Sequence, residues 1–174
     1  MHSIVLALGI ARVLGGIAAV ARNWRRLETK WFFLGWLALL LLLHLGWWFG
    51  LWIRFGEVSD ISLWTFFFWF LIPASLYIAS RLLIPEFHEG STPDVKQRFD
   101  EVRMPFFACL VLATIPPLPG LADAARTDWL LAVFAGLALT GLFVSDRRGH
   151  VALLCLMLAT FVTFLALARS SLGN

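Results

Sequence analysis

Six long apolar segments account for most of this 174-residue chain, and most of its charged residues lie in the gaps between them. A helix that spans a bilayer needs about 20 mostly apolar residues. The chain is 60% hydrophobic and 14% charged, whereas a soluble domain averages about 45–50% apolar and about 25% charged residues. The hydrophobic core of a soluble domain of this size could not bury so many apolar residues. The sequence therefore predicts an all-α, polytopic transmembrane helix bundle.

The six predicted spans form a single integral membrane domain over residues 1–174 and leave no room for a separate soluble domain. They run over about residues 3–21, 31–53, 61–84, 93–115, 128–144 and 149–168. Thr92 and Pro93 are typical of a helix start, so the fourth helix should begin as a cytoplasmic extension. Its apolar part from Met104 to Ile115 is about 18 Å long at a rise of about 1.5 Å per residue. That length falls short of a full crossing.

Basic residues alternate between the gaps, and the alternation predicts an orientation. The first, third and fifth gaps hold or adjoin most of them: Arg22, Arg25, Arg26, Lys30, Arg81, Lys96, Arg98, Arg103, Arg147 and Arg148. The second and fourth gaps contribute only Arg54 and Arg126. Cytoplasmic loops of membrane proteins carry the excess of Lys and Arg. The pattern thus predicts that both termini face outward.

Composition also bounds the partners and cofactors. The net charge of +3 arises in the gaps and at helix ends, where it suits contact with membrane lipid and not a nucleic-acid surface. Cys109 and Cys155 both fall in apolar segments and are expected to be small buried side chains. Without His or further Cys nearby, they predict no metal site, and no cofactor is predicted.

Arg12 is the chemically unusual residue, because it lies nine positions from each end of the first predicted span. A charge near the bilayer centre costs about 2.5–3.5 kcal/mol on insertion scales. Small neighbours, including Gly9, Gly15 and Gly16, would let another helix approach closely. The face that carries Arg12 is therefore expected to pack against protein.

No Asp or Glu lies in the central part of any predicted span, so Arg12 needs another partner. Pro73 frees the carbonyl of Trp69, four residues earlier, and Ser75 and Tyr77 lie nearby in sequence. Two interpretations stay open. Arg12 either joins the first and third spans through such groups, or binds an anion, a lipid headgroup or a carboxylate ligand.

His44 is the only histidine well inside a predicted span. It is either a satisfied core histidine or a pH-sensitive pore residue. A haem with two axial histidines would need a second buried histidine, and none is predicted. The aromatic residues Trp47, Trp48, Trp52 and the run from Trp64 to Phe70, which includes Trp69, are expected at the outward end. They form an interface belt or a site for a flat apolar ligand such as a quinone.

The polar stretch from Glu86 to Arg103 mixes both signs of charge and predicts a solvated helix on the cytoplasmic face. A surface for docking a partner protein is the alternative interpretation of this stretch.

The motifs of common enzymes are missing: the chain has no HExxH, GxSxG or phosphate loop, and no paired intramembrane carboxylates. A non-enzymatic accessory or scaffold subunit is the leading hypothesis. It would form a homo-oligomer, or bind a partner membrane protein, through the small residues of span one. The alternative is a small transporter or channel for an anion or amphipathic molecule, with Arg12 as the binding charge and His44 as a modulator.

Three features together resemble a group of small bacterial polytopic membrane proteins of unknown function. They are the segment from Gly9 to Leu14, the pair Trp47-Trp48, and the segment from Pro73 to Pro85 that includes Tyr77. The resemblance covers roughly the first half of the chain. It implies a multi-pass protein of the bacterial inner membrane and implies no activity.

Overall fold

The structure, a computed structural model, describes residues 2–25, 27, 30–54, 63–84, 95–114 and 128–172. These residues form six helices and no strand, which confirms the all-α class. The helices are α1 (His2–Arg22), α2 (Lys30–Arg54), α3 (Leu63–Leu83), α4 (Val95–Ala113), α5 (Asp128–Phe143) and α6 (Arg147–Leu172). Each overlaps one predicted segment. The helix start predicted at Thr92 and Pro93 lies outside the described residues.

Three helices are long and apolar enough to cross a membrane. Their apolar windows are Ile4–Arg22 in α1, Lys30–Phe49 in α2 and Arg147–Leu167 in α6. Shorter apolar stretches, Trp69–Leu83 and Trp129–Phe143, lie in α3 and α5. These windows support association with a membrane.

The first half of α4 is amphipathic. The sequence predicted a solvated helix for the polar stretch that includes it. Phe99 and Val102 are buried, whereas Asp100 and Glu101 between them are exposed. Residues three apart share a helix face, so one face of this segment enters the core while the charged face remains outside. Its charged residues also explain why α4 is not among the described helices that are apolar enough to cross a membrane.

The core centres on Trp36 of α2, which is 0% exposed. Its ring packs edge-on against Phe106 and Phe107 of α4, at centroid distances of 5.4 and 5.3 Å, and stacks on Phe99 at 5.8 Å. Edge-to-face and offset ring pairs at these distances are favourable beyond the area they bury. This aromatic cluster fixes the first half of α4 against α2.

The contacts between helices also define their relative directions. Leu6 packs near Trp69 and Gly16 packs against Ile84, so α1 and α3 run the same way. Gly35 faces Leu154 and Gly46 faces Phe161, so α2 and α6 also run the same way.

The remaining contacts give antiparallel neighbours. Lys30, at the start of α2, donates to the carbonyl of Trp24, just after the end of α1, at 3.3 Å. Gly9, early in α1, packs against His44, late in α2, so α1 and α2 run in opposite directions. Phe107 lies on Gly141, and Arg103 reaches the Val144 carbonyl at 2.8 Å, so α4 and α5 run in opposite directions. We call the end of the bundle where α1, α3 and α5 finish and α2, α4 and α6 begin the basic end.

The outer surface of α6 corrects one prediction. Cys109 of α4 is buried as expected, but Cys155 is exposed. Helix α6 contacts mainly α5 and α2, so one of its faces remains outside the bundle and carries exposed apolar side chains such as Leu156 and Val162. Cys155 lies on that face, where sequence alone does not distinguish a lipid-facing position from a core position.

Candidate functional site

Arg12 lies at the edge of the face by which α1 packs into the bundle. Val13 and Val20 on that face are 0% exposed, while Arg12 itself is half-buried. Its Nε is fully buried and has no hydrogen-bond partner among the described residues. The backbone of α1 therefore holds a guanidinium partly inside the bundle without a bond to its Nε–H.

His44 of α2 is fully buried, and its two ring nitrogens have different surroundings. Nδ1 lies 2.7 Å from the carbonyl oxygen of Leu40, one turn earlier. A carbonyl only accepts, so Nδ1 carries the proton of the neutral ring and Nε2 presents a lone pair. Nε2 is buried and has no partner in the described part of the chain.

Gly9 contacts His44 and lies one turn before Arg12 on α1. The His44 ring occupies the space that a Cβ at position 9 would fill, with Nε2 as its nearest atom. Arg12 follows Gly9 by three residues, and helical side chains lean over the preceding turn. We call Gly9, Arg12 and His44 the Gly9 notch. It combines a buried N–H donor with a buried nitrogen acceptor, and neither has a partner among the described residues.

The partners predicted for Arg12 lie elsewhere or are engaged locally. Trp69 packs with Leu6 and Trp47, which places it near a level six residues before Arg12 on α1. The Ser75 hydroxyl donates to the Ile72 carbonyl at 2.8 Å. Tyr77 is half-buried, and its carbonyl accepts from Ser80 at 2.7 Å. No hydrogen bond joins Arg12 to these groups within the described residues. Within the described residues, Arg12 Nε is therefore left without a hydrogen-bond partner, one turn after the glycine that contacts His44.

The aromatic residues of the predicted belt divide between two environments. Trp69 is 8% exposed and packs with Trp47 in a small cluster, whereas Trp48 is 43% exposed. Adjacent helical residues point about 100° apart, so Trp47 and Trp48 do not line one cavity. Trp48 therefore suits an interface position, and a ligand site shared with Trp69 stays a prediction.

His150 is a second buried histidine, whereas the sequence predicted none besides His44. It is 1% exposed, stacks on Phe107 at a centroid distance of 5.7 Å, and meets Phe99 edge-on at 5.1 Å. Both of its ring nitrogens are buried without a partner among the described residues. Asp146, four residues earlier, accepts from the Gly149 N–H at 2.9 Å and so caps α6. The sequence signal for His150 was the Asp146 cap, because it places position 150 in the first turn of α6.

Metal binding has no support in the described part of the chain, where no group of three or more His, Cys, Asp or Glu side chains could hold an ion. Comparison with protein-family models, curated proteins and solved structures gives no match. The assignment of function therefore rests on the residues of this chain.

The Gly9 notch predicts a specific coupling between Gly9 and His44. Gly9→Ala should lower the melting midpoint of the purified protein, because its Cβ would overlap the buried imidazole. Overpacking of this kind costs about 1–3 kcal/mol. In a His44→Ala background the added methyl has room, so Gly9→Ala should cost far less there. The measurement is a double-mutant cycle of thermal unfolding.

Gly136→Ala on α5 is the matched control, because nothing lies within 4 Å of a Cβ built at Gly136. Alanine is the better helix former by about 1 kcal/mol, so this variant should be neutral or more stable. Equal losses from Gly9→Ala with and without His44 would contradict the close contact.

Proposed function

We propose that the chain is a six-span protein of the bacterial inner membrane with both termini outward. Support comes from the basic end, where helix directions place the described basic residues of three gaps together: Arg22, Arg25, Lys30, Arg81, Arg98, Arg103, Arg147 and Arg148. Under the positive-inside rule that end faces the cytoplasm. Helices α3, α4 and α5, which are less apolar or shorter, would cross as inner members of the bundle.

Reporter fusions test this topology. A reporter enzyme that is active only outside the cytoplasm, fused after Asn174, should be active. The same reporter inserted after Leu27, between α1 and α2, should be inactive because that position lies at the basic end. Activity after Leu27 together with inactivity after Asn174 would invert the proposed orientation. The same result at both positions would indicate an even number of crossings between Leu27 and Asn174, and would exclude the five crossings that six spans require.

We further infer that the protein is a non-enzymatic scaffold that assembles with a second copy through α1. The supporting observation is a stripe of small residues, Ala7, Ala11, Gly15 and Ala18, all exposed on α1. They lie on the side opposite Gly9 and Gly16, which pack inside the bundle. We call these four residues the α1 stripe.

The α1 stripe suits a close helix–helix contact in lipid. In a bilayer, helices associate through van der Waals packing, and small residues spaced four apart let two backbones approach. A Cβ atom built at Gly15 would meet no atom within 4 Å in the isolated chain. Two copies that face each other across their stripes would bury four small residues each, flanked by the exposed Leu8 and Leu14.

Substitution at Gly15 tests this assembly. Gly15→Leu should shift the protein from dimer toward monomer when its mass is measured in detergent or in lipid nanodiscs, because the leucine would hold the two helices apart. Gly136→Leu is the matched control, since Gly136 on α5 is also exposed and has no atom within 4 Å of a built Cβ. That variant should stay dimeric. A monomeric wild-type protein would contradict self-assembly.

A second candidate function, transport of an anion or amphipathic molecule, is supported by the Gly9 notch. Its buried Arg12 Nε–H and His44 Nε2 are both without a partner among the described residues. An intramembrane cation of this kind commonly marks a substrate path. Under this hypothesis Arg12 supplies the binding charge, and His44 supplies an acceptor beside it.

Arg12→Gln separates the two functions. Under the scaffold hypothesis, proteoliposomes loaded with chloride or benzoate should show no efflux above that of protein-free vesicles. The Arg12→Gln variant should then have a changed melting midpoint. Transport predicts efflux from the wild type that Arg12→Gln abolishes without loss of the folded state. Arg22→Gln is the control, because Arg22 is exposed at the end of the same helix and should alter neither property.

A further inference from the structure

A cavity of about 250 Å³ lies at the basic end, away from the Gly9 notch and the α1 stripe. Its lining comes from α2, α4, α6 and the turn before α6: Phe32, Phe99, Asp100, Ser145, Asp146, Arg147 and His150. The two phenylalanines meet edge-on at a centroid distance of 5.0 Å. Asp100, Asp146 and Arg147 are exposed, so the charged groups stand at the mouth and the aromatic rings lie deeper.

His150 is the polar group at the base of this cavity. It is 1% exposed, and neither ring nitrogen forms a hydrogen bond of good geometry with a described residue, although the Val144 carbonyl, which accepts from Arg103, lies near the ring. A neutral imidazole has one N–H donor and one lone-pair acceptor. A buried polar group without partners costs stability, so a ligand that both donates and accepts hydrogen bonds would complement this ring.

The charges at the mouth define the ligand further. Asp100 and Asp146 supply two carboxylates, and Arg147 supplies one guanidinium. One oxygen of Asp146 caps α6 through Gly149, and a carboxylate retains further acceptor sites after one such bond. The pair of carboxylates suits an ammonium group, which the faces of Phe32 and Phe99 would also attract. Arg147 suits a phosphate.

We propose that this cavity binds a phosphoethanolamine group. Its ammonium would donate to Asp100, to Asp146 and to the acceptor nitrogen of His150. Its phosphate would accept from Arg147 and from the His150 N–H. About 30 Å³ is the share of one water molecule in the liquid, so the cavity has room for about eight such groups, comparable to the non-hydrogen atoms of phosphoethanolamine.

The position of the cavity identifies a lipid headgroup as one source of that chemistry. The apolar windows of α2 and α6 begin at Lys30 and Arg147, and the lining residues Phe32 and Arg147 lie at those same ends. A group bound there is level with the boundary between apolar and polar residues. Soluble phosphoethanolamine is the other source, and the experiment distinguishes the two.

The test measures the melting midpoint of the full-length, detergent-purified protein against added short-chain lipid. Phosphatidylethanolamine should raise the midpoint with saturation. Phosphatidylcholine should be about tenfold weaker or worse, because its trimethylammonium group has no N–H to donate to the carboxylates. Free phosphoethanolamine forms the third arm. Protection by the free compound at the same concentration as the lipid assigns the site to a soluble ligand, and protection by the lipid alone assigns it to the membrane.

Variants at the cavity mouth provide the decisive comparison. Asp100→Asn and Asp146→Asn should each weaken the response to phosphatidylethanolamine by about tenfold, since a charge-assisted hydrogen bond is lost. Asparagine at position 146 still caps α6, so that variant should fold. Glu101→Gln is the matched control: Glu101 is exposed beside Asp100 but bonds to Gln97 and does not line the cavity.

His150→Phe keeps the ring stack and removes both nitrogens, so it should weaken the response to phosphatidylethanolamine, while the two carboxylates still distinguish this lipid from phosphatidylcholine. If His150→Phe fails to fold, the paired Asp100→Asn and Glu101→Gln variants still decide the question. Equal protection of the wild type by the two lipids would overturn the proposal. An undiminished response to phosphatidylethanolamine in both aspartate variants would also overturn it, because the lipid would then bind without the carboxylates of the cavity.

Discussion

Two glycines of α1 set how closely the first three helices pack, and the candidate site depends on that closeness. A side chain at Gly9 would overlap the His44 ring, and one at Gly16 would overlap Ile84. In a bilayer there is no hydrophobic force to draw apolar helices together, so close contact at small residues is a main source of association. Gly9 and Gly16 thus hold α2 and α3 against one face of α1. They leave the opposite face, with Ala11 and Gly15, uncovered.

Besides Nε1 of Trp36 and the Nε atoms of Arg98 and Arg103, the described residues hold buried nitrogen atoms without partners at Arg12 and His44 and at His150, and these two places differ in charge environment. In the Gly9 notch, Arg12 and His44 lie among apolar residues, and no described acidic side chain forms an ion pair with Arg12. At the basic end, His150 lies below Asp100 and Asp146, which line the same cavity. The first environment favours an anion or water beside the guanidinium. The second favours a group that carries both charges. The described residues therefore include two groups of buried polar atoms with different charge surroundings, separated by the aromatic cluster around Trp36.

Hydrophobic patterning was sufficient to predict the helices, because each spans an apolar run that charges or prolines interrupt. It also singled out Arg12 and His44, since a cation and an imidazole stand out in such runs. The contact of His44 with Gly9 was not predictable, because it depends on the register of α1 against α2. Burial of His150 was missed for a related reason. The sequence places His150 at a helix end. Its burial depends on α4, whose residues Phe99 and Phe107 pack against its ring. Exposure of Cys155 likewise follows from which face of α6 meets its neighbours.

The position of Arg12 between two faces of α1 connects the proposed assembly with the notch. Its neighbour Ala11 belongs to the α1 stripe, while Val13 on the other side is buried in the core. A second copy docked on the stripe would approach the half-exposed guanidinium and remove it from lipid without supplying a carboxylate from the stripe itself. A buried cation without a polar partner is costly, so a carbonyl, a water molecule or an anion at the interface would stabilise Arg12 there. In this arrangement, assembly and ligand binding at the notch are not independent, because both act on the solvation of one side chain.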